Sequence, residues 1–298
     1  MSDHSAAGVR DPSSPGGPSP RRSRRTAAPQ PSFRGGAGEP LLLVHAGWTS
    51  WEMWKPFVAA LGGRRDVIAP TLPGHIGGPE LPFVVDPGPG RERFDVLVDA
   101  LERHLDDHGV HEPIDVVGNS IGGWAALELA RRGRARRVVA IGPMGMHDAA
   151  QGRALERRFR PRHRLARLSR PLAAAALSVP AIRRVALQDL VVDAGRLDAQ
   201  FATRIAEAFT WADVPALFDA ARAPDGSLDR IVRADEIDTP VLLLWGDRDT
   251  IADRTQMDRY LAALPDAELQ VLHGAGHCPQ LDDPAGVARA VSAFLQAG

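Results

Sequence analysis

The stretch "IDVVGNSIGGWAALELA", residues 114–130, places one serine between two glycines, where an apolar run stops and a helical pattern begins. A serine at a strand-to-helix turn is forced into a strained backbone conformation. Glycines two residues to either side are needed because larger side chains would collide with neighbouring backbone. That strain holds the Ser120 hydroxyl out above a sheet. The helix that follows aims its amino terminus at the same point, so the backbone N–H of Ile121 faces any negative charge developing on a carbonyl oxygen attacked by Ser120. Five-residue matches of this kind arise often by chance; the apolar strand directly before and the helix directly after make this one specific.

Outward from this turn, short apolar runs alternate with longer helical patterns. The runs are "PLLLVHAG" (40–47), "DVIAPTLPG" (66–74), "IDVVGNS" (114–120), "RVVAIGP" (137–143), "VLLLWGD" (241–247) and "ELQVLHG" (268–274). Buried-type runs ending in Gly or Pro are how parallel strands read when helices cover both faces of a sheet. Between them, "WEMWKPFVAALGG", "RFDVLVDALERHLDDHG", "IGGWAALELARRG" and "PAGVARAVSAFLQAG" repeat apolar positions at three and four, as crossover helices do. The fold class is therefore α/β, a doubly wound and mostly parallel sheet, with ligands expected beyond the carboxyl ends of the strands. Residues 148–236 break the rhythm with an Arg- and Ala-rich helical stretch. It reads as an all-helical cap inserted over the sheet and divided into short helices by Pro161, Pro171, Pro180 and Pro215. The expected organisation is a Pro/Ser/Arg-rich disordered tail over 1–32, a first core part over 33–147, the cap over 148–236 and a second core part over 237–298.

Composition narrows the function. With 298 residues, 44% of them hydrophobic, the chain can bury a substantial core. A formal net charge of −1 argues against gripping nucleic acid or an anionic membrane through a strong basic field. Cys278 is the single cysteine, which excludes an internal disulfide and a thiolate metal site and points to a reducing, cytoplasmic setting. The cluster Arg21, Arg22, Arg24 and Arg25 lacks the apolar segment an export signal requires, and no apolar run reaches membrane-spanning length. A small-molecule partner is expected, with neither nucleic acid nor membrane, and oligomeric state leaves no mark in the sequence.

A serine hydroxyl needs a base, and His277 in "LHGAGHCPQLDDP" follows the last strand-like run. Its imidazole can take a proton and return it near neutral pH. His273 is the alternative at the strand end, and His104, His108 and His111 lie on a polar helical face. An orienting carboxylate comes from "LLLWGDRDTIAD" (242–253), where Asp249 sits on the loop within reach of a neighbouring histidine. Asp247 is the second choice, suited to capping the turn, and Asp148 the third. The second oxyanion donor should follow the first strong strand, where Gly47 lets a backbone N–H approach the substrate. Trp48 is expected to line the pocket, whereas Trp51 and Trp54 suit helix packing; Trp124 and Trp211 are open between the two.

Taken together, these residues resemble the α/β-hydrolase superfamily from about residue 33 to the end. The resemblance rests on His45-Ala46-Gly47 after a strand, Gly118-Asn119-Ser120-Ile121-Gly122-Gly123, the helical insertion, Gly246-Asp247-Arg248-Asp249, and Gly276-His277, in the family's order of nucleophile, acid and histidine. It implies Asp249 rather than Asp247 as the acid, Gly47 as the oxyanion amide, and no metal or organic cofactor. It further implies a serine hydrolase with a helical cap, similar to small-molecule esterases and carbon–carbon bond hydrolases. Serine at 120 sets it apart from relatives with an aspartate nucleophile, such as epoxide hydrolases and haloalkane dehalogenases. The same triad also serves lyases, acyltransferases and cofactor-free perhydrolases, and the fold alone serves low-turnover ligand binders. The chain departs from the family at His45-Ala46, where His-Gly is usual, and at Thr71–Ile76. The two strands that usually precede the His-Gly strand would fall in the tail, so the first of them is expected to be absent or poorly formed.

Overall fold

The protein is described by a computed structural model over residues 31–81, 94–211 and 234–297. Seven strands form one sheet: β1 (Ser32–Gly35), β2 (Pro40–Val44), β3 (Asp66–Pro70), β4 (Ile114–Asn119), β5 (Ala135–Ile141), β6 (Val241–Gly246) and β7 (Glu268–Leu272). Their order is β1-β3-β2-β4-β5-β6-β7, parallel throughout except for β1, which runs antiparallel to β3. Successive side chains of a strand point to opposite faces, and the core divides accordingly. Leu42, Val44, Val116, Val138, Ala140 and Leu243 belong to one apolar cluster; Leu41, Leu43, Val117, Val139, Ile141 and Leu244 belong to the other. Each cluster is closed by helices whose apolar face meets it. On the first face lie α2 (Asp95–Asp107) and α3 (Ile121–Arg131), through Leu97, Leu101 and Trp124, together with α8 (Arg254–Ala263), through Met257 and Tyr260. On the second lie α1 (Lys55–Leu61) and α9 (Pro284–Gln296), through Phe57, Val291 and Phe294.

The chain leaves β2 toward β3 on one side and resumes at β4 on the other, so the winding direction reverses between β2 and β4. Such a reversal opens a crevice at the carboxyl ends of those two strands. The loops carrying Gly47 and Ser120 both emerge there.

One strand forms ahead of the His-Gly strand, and one expectation needs correction. Ser32–Gly35 pairs with β3 from Ser32↔Pro70 to Gly35↔Val67. Its single large apolar side chain, Phe33, stacks on Trp51 with ring centroids 5.1 Å apart. Pairing through backbone groups needs little apolar content, which is why so polar a stretch still forms an edge strand. Any earlier strand, with the rest of the tail, lies outside the described residues. Between β5 and β6 the inserted helices include α4 (Ala149–Ser169), α5 (Ala173–Leu177), α6 (Pro180–Ala186) and α7 (Ala199–Phe209). Pro161 does not divide this stretch, because α4 runs straight through it. The ring removes one helical hydrogen bond, to the Arg157 carbonyl, and both residues are exposed, so water can satisfy that oxygen. Pro171 and Pro180 do punctuate the chain, each in the first turn of a short helix. Pro215 lies outside the described residues.

Candidate active site

Ser120 sits between β4 and α3 with φ 58 and ψ −117, a left-handed conformation that non-glycine residues rarely adopt. The glycines around it are there for space. A Cβ on Gly118 would lie 2.0 Å from the Gly122 carbonyl oxygen, and one on Gly122 would lie 2.2 Å from that of Val44. The bend is locked by backbone bonds: the Ser120 N–H donates to the Ile141 carbonyl at 2.9 Å, and the Ser120 carbonyl accepts from Trp124 and Met144. Ile121 is the first residue of α3, so its N–H has no carbonyl a turn behind it within the helix. Among the described residues, nothing accepts a hydrogen bond from the Gly47 N–H.

His277 and Asp249 meet after β7 and β6. The imidazole Nδ1 lies 2.7 Å from Asp249 Oδ2, with side-chain exposures of 3% and 1%. The other carboxylate oxygen accepts from the Ile251 and Ala252 N–H groups at 2.8 and 2.9 Å, which fixes the carboxylate so that one oxygen is left for the ring. Gly142, at the end of β5 with φ +45, makes room: a Cβ there would lie 2.9 Å from Asp249 Oδ2. The rival residues have other work. Asp247 accepts from the Gly274 N–H and faces the exposed His273, and Asp148 caps α4 through Ala150 and Gln151.

Sequence reasoning missed Asn119. This buried side chain donates from Nδ2 to the carbonyls of Ile141 (2.9 Å) and His277 (3.0 Å). Its Oδ1 accepts from Gln280 Nε2 at 3.0 Å and the Cys278 thiol at 3.2 Å. The residue before Ser120 is thus tied to the backbone of His277, and the serine and histidine loops are held as one piece. The aromatic contacts of Trp48 were also only half seen. Its ring meets Phe159 of α4 at 4.6 Å and Phe209 of α7 at 5.2 Å, so it joins the core to the inserted helices, and its own backbone is left-handed at φ 61. Trp51, Trp54 and Trp124 are buried packing residues, while Trp211 is exposed.

Three neutral histidines brace the loops. The Leu72 N–H donates to His45 Nε2 at 2.9 Å, so the proton sits on Nδ1, 2.8 Å from the Ala46 carbonyl. His75 packs edge-on against that ring at 4.9 Å. His147 lies 3.3 Å from the Ile251 carbonyl through Nε2, bracing the loop that holds Asp249. Burial drives the His45 pKa well below its ordinary value, and takes His75 and His147 down to about 4. The unfolded chain therefore binds more protons than the folded one between about pH 6.5 and 4. Stability is expected to be full above that window and to fall with pH inside it, by roughly 3 kcal/mol at completion for each of His75 and His147. Urea melts across this range should show the fall, with a shallower slope in His147→Gln; an unchanged slope in that variant would reject this origin.

The strand order, the left-handed serine at a topological switch, and a buried carboxylate–imidazole pair on the loops after β6 and β7 point to one class of protein. The family model described as "Alpha/beta hydrolase family" matches residues 41–290, and the chain belongs to that family. It is 58% identical over 50 residues to epoxide hydrolase EphH of Mycobacterium tuberculosis, a match covering 17% of this chain and 23% of that relative. The chain thus spans about a quarter of that curated relative's length. It is 28% identical over 256 residues to pimeloyl-[acyl-carrier protein] methyl ester esterase of Aromatoleum aromaticum, covering 82% of this chain and 93% of the relative. Among solved structures, a thermophilic esterase from Thermogutta terrifontis superimposes with a TM-score of 0.64 at 23% identity, over 89% of this chain and 92% of that one.

Proposed function

We propose that this chain is a serine hydrolase that cleaves a small-molecule ester or related carbonyl compound through an acyl-enzyme. The observation that carries the reading is the Asn119 bridge, which binds the residue before Ser120 to the backbone of an Asp249-paired His277. Ser120 Oγ attacks the substrate carbonyl as His277 Nε2 takes its proton. Asp249 accepts from Nδ1–H and stabilises the imidazolium. The N–H groups of Gly47 and Ile121 receive the oxyanion, and His277 then protonates the leaving alcohol. Water, deprotonated by His277, attacks the acyl-serine and frees the acid. No metal or organic cofactor takes part.

Trp48, with Phe159 and Phe209 around it, forms an apolar aromatic wall from the core and the helical cap, suited to an acyl or aryl substituent. Carbon–carbon bond hydrolysis uses the same groups and differs in the bond broken. Serine at 120 sets the reading apart from aspartate-nucleophile epoxide hydrolysis, despite the short match to EphH. A panel of p-nitrophenyl esters with a fluorophosphonate label tests it. Turnover with stoichiometric labelling is expected; a protein that neither labels nor turns over, yet is thermally protected by an ester it does not consume, would be a ligand binder instead.

A further inference from the structure

The inserted helices show an outward face that the catalytic reading leaves unused. Residues 149–187 hold ten arginines and one acidic residue, Glu156, so the near-neutral charge of the whole chain conceals a strongly basic segment. The same segment exposes large apolar side chains. Leu165 and Leu168 of α4 are 66% and 82% exposed, and Leu172 in the 3-10 turn that follows is 69% exposed. Val179, Ile182 and Val185, spaced at three across the start and body of α6, are all exposed as well.

Helical geometry arranges these groups. At about 100° per residue, Leu165 and Leu168 fall on the side of α4 opposite Phe159 and His163, its buried residues. Arg153, Arg157, Arg160 and Arg164 fall along one flank of that stripe, and all four are exposed. Arg158 and Arg162 fall along the other and are held by Asp189. Arg153, Arg157, Arg164 and Arg167 make no ion pair among the described residues. An apolar stripe with exposed arginines along its flank, Arg153, Arg157 and Arg164 among them without an ion pair, is the pattern of a helix that lies in a lipid interface.

We propose that this face of the inserted helices docks the protein on an anionic lipid bilayer. Leu165, Leu168 and Leu172 enter the acyl boundary, and the flanking arginines meet the headgroup charge. Charge complementarity selects this occupant. A second copy meeting the same face would set the exposed arginines of that flank, Arg153, Arg157, Arg160 and Arg164, against their own counterparts. A nucleic acid would be served by the arginines and would leave the leucines without a partner.

The test is flotation of the full chain with phosphatidylglycerol and with phosphatidylcholine vesicles at low and high salt. Binding is expected to phosphatidylglycerol and to weaken about tenfold or more with added salt. A comparable loss is expected in Leu165→Gln/Leu168→Gln/Leu172→Gln and in Arg157→Gln/Arg164→Gln/Arg167→Gln, with melting temperatures unchanged because every substituted residue is exposed. Absence of binding to phosphatidylglycerol overturns the proposal, as does binding that survives the leucine substitutions. It is also overturned if the wild type is a dimer that the leucine variant dissociates, or if an RNA oligonucleotide competes with the vesicles and binds the leucine variant undiminished.

Discussion

Ser120→Ala is expected to lower ester turnover by about a thousandfold or more and to abolish fluorophosphonate labelling, with the fold intact. The loss follows from removing the group proposed to form the acyl-enzyme; what is left would be the binding and oxyanion contributions alone. The fold should tolerate the change because alanine carries the same Cβ into the same φ 58 backbone, so the strain of the turn is unaltered. The locking bonds, from the Ser120 N–H to Ile141 and from Trp124 and Met144 to the Ser120 carbonyl, involve only backbone at position 120. Turnover that persisted in the variant would move the chemistry to another group and end the acyl-serine reading.

Gly122→Ala is expected to have the second largest effect, and a different kind. Its Cβ would sit 2.2 Å from the Val44 oxygen and 2.7 Å from that of His45, and backbone cannot move aside as a side-chain tip can. The first turn of α3 must therefore retreat from the end of β2, at a cost of about 3 kcal/mol in stability. The same retreat separates the two amides proposed to hold the oxyanion, Ile121 on α3 and Gly47 just beyond His45. Loss or misplacement of one such donor lowers turnover on the order of a hundredfold or more. The expected signature is a kcat that falls while fluorophosphonate still reacts slowly with Ser120. A variant with wild-type kcat and wild-type stability would show that the close approach is not needed.

The sheet and the elbow were legible because local chemistry dictates them. Apolar runs ending in Gly or Pro marked β2 to β7, and a serine flanked by glycines marked a turn whose strain the structure records at φ 58. Asn119 was in plain view inside the quoted stretch, yet its partners at His277, Cys278 and Gln280 lie about 160 residues further along the chain. No spacing rule reaches across that separation. The edge strand at Ser32–Gly35 was missed because backbone pairing to β3, rather than an apolar pattern, holds it. Pro161 misled because proline's helix-breaking tendency is strong in isolation and weak where water can take over the freed carbonyl. The Arg-rich character of the inserted stretch was legible, but a formal net charge of −1 summed over the whole chain concealed how exposed arginines and leucines share one side of α4.

Asn119 also gives the one thiol of the chain a special standing. Cys278 is fully buried, its sulfur pointed at the Asn119 oxygen, and burial lifts its pKa well above the ordinary thiol value. Buried in the apolar cluster beneath the sheet's second face, the sulfur meets a reagent only when this part of the core opens. The rate at which this single atom is alkylated is therefore a native reporter of local opening around the histidine loop.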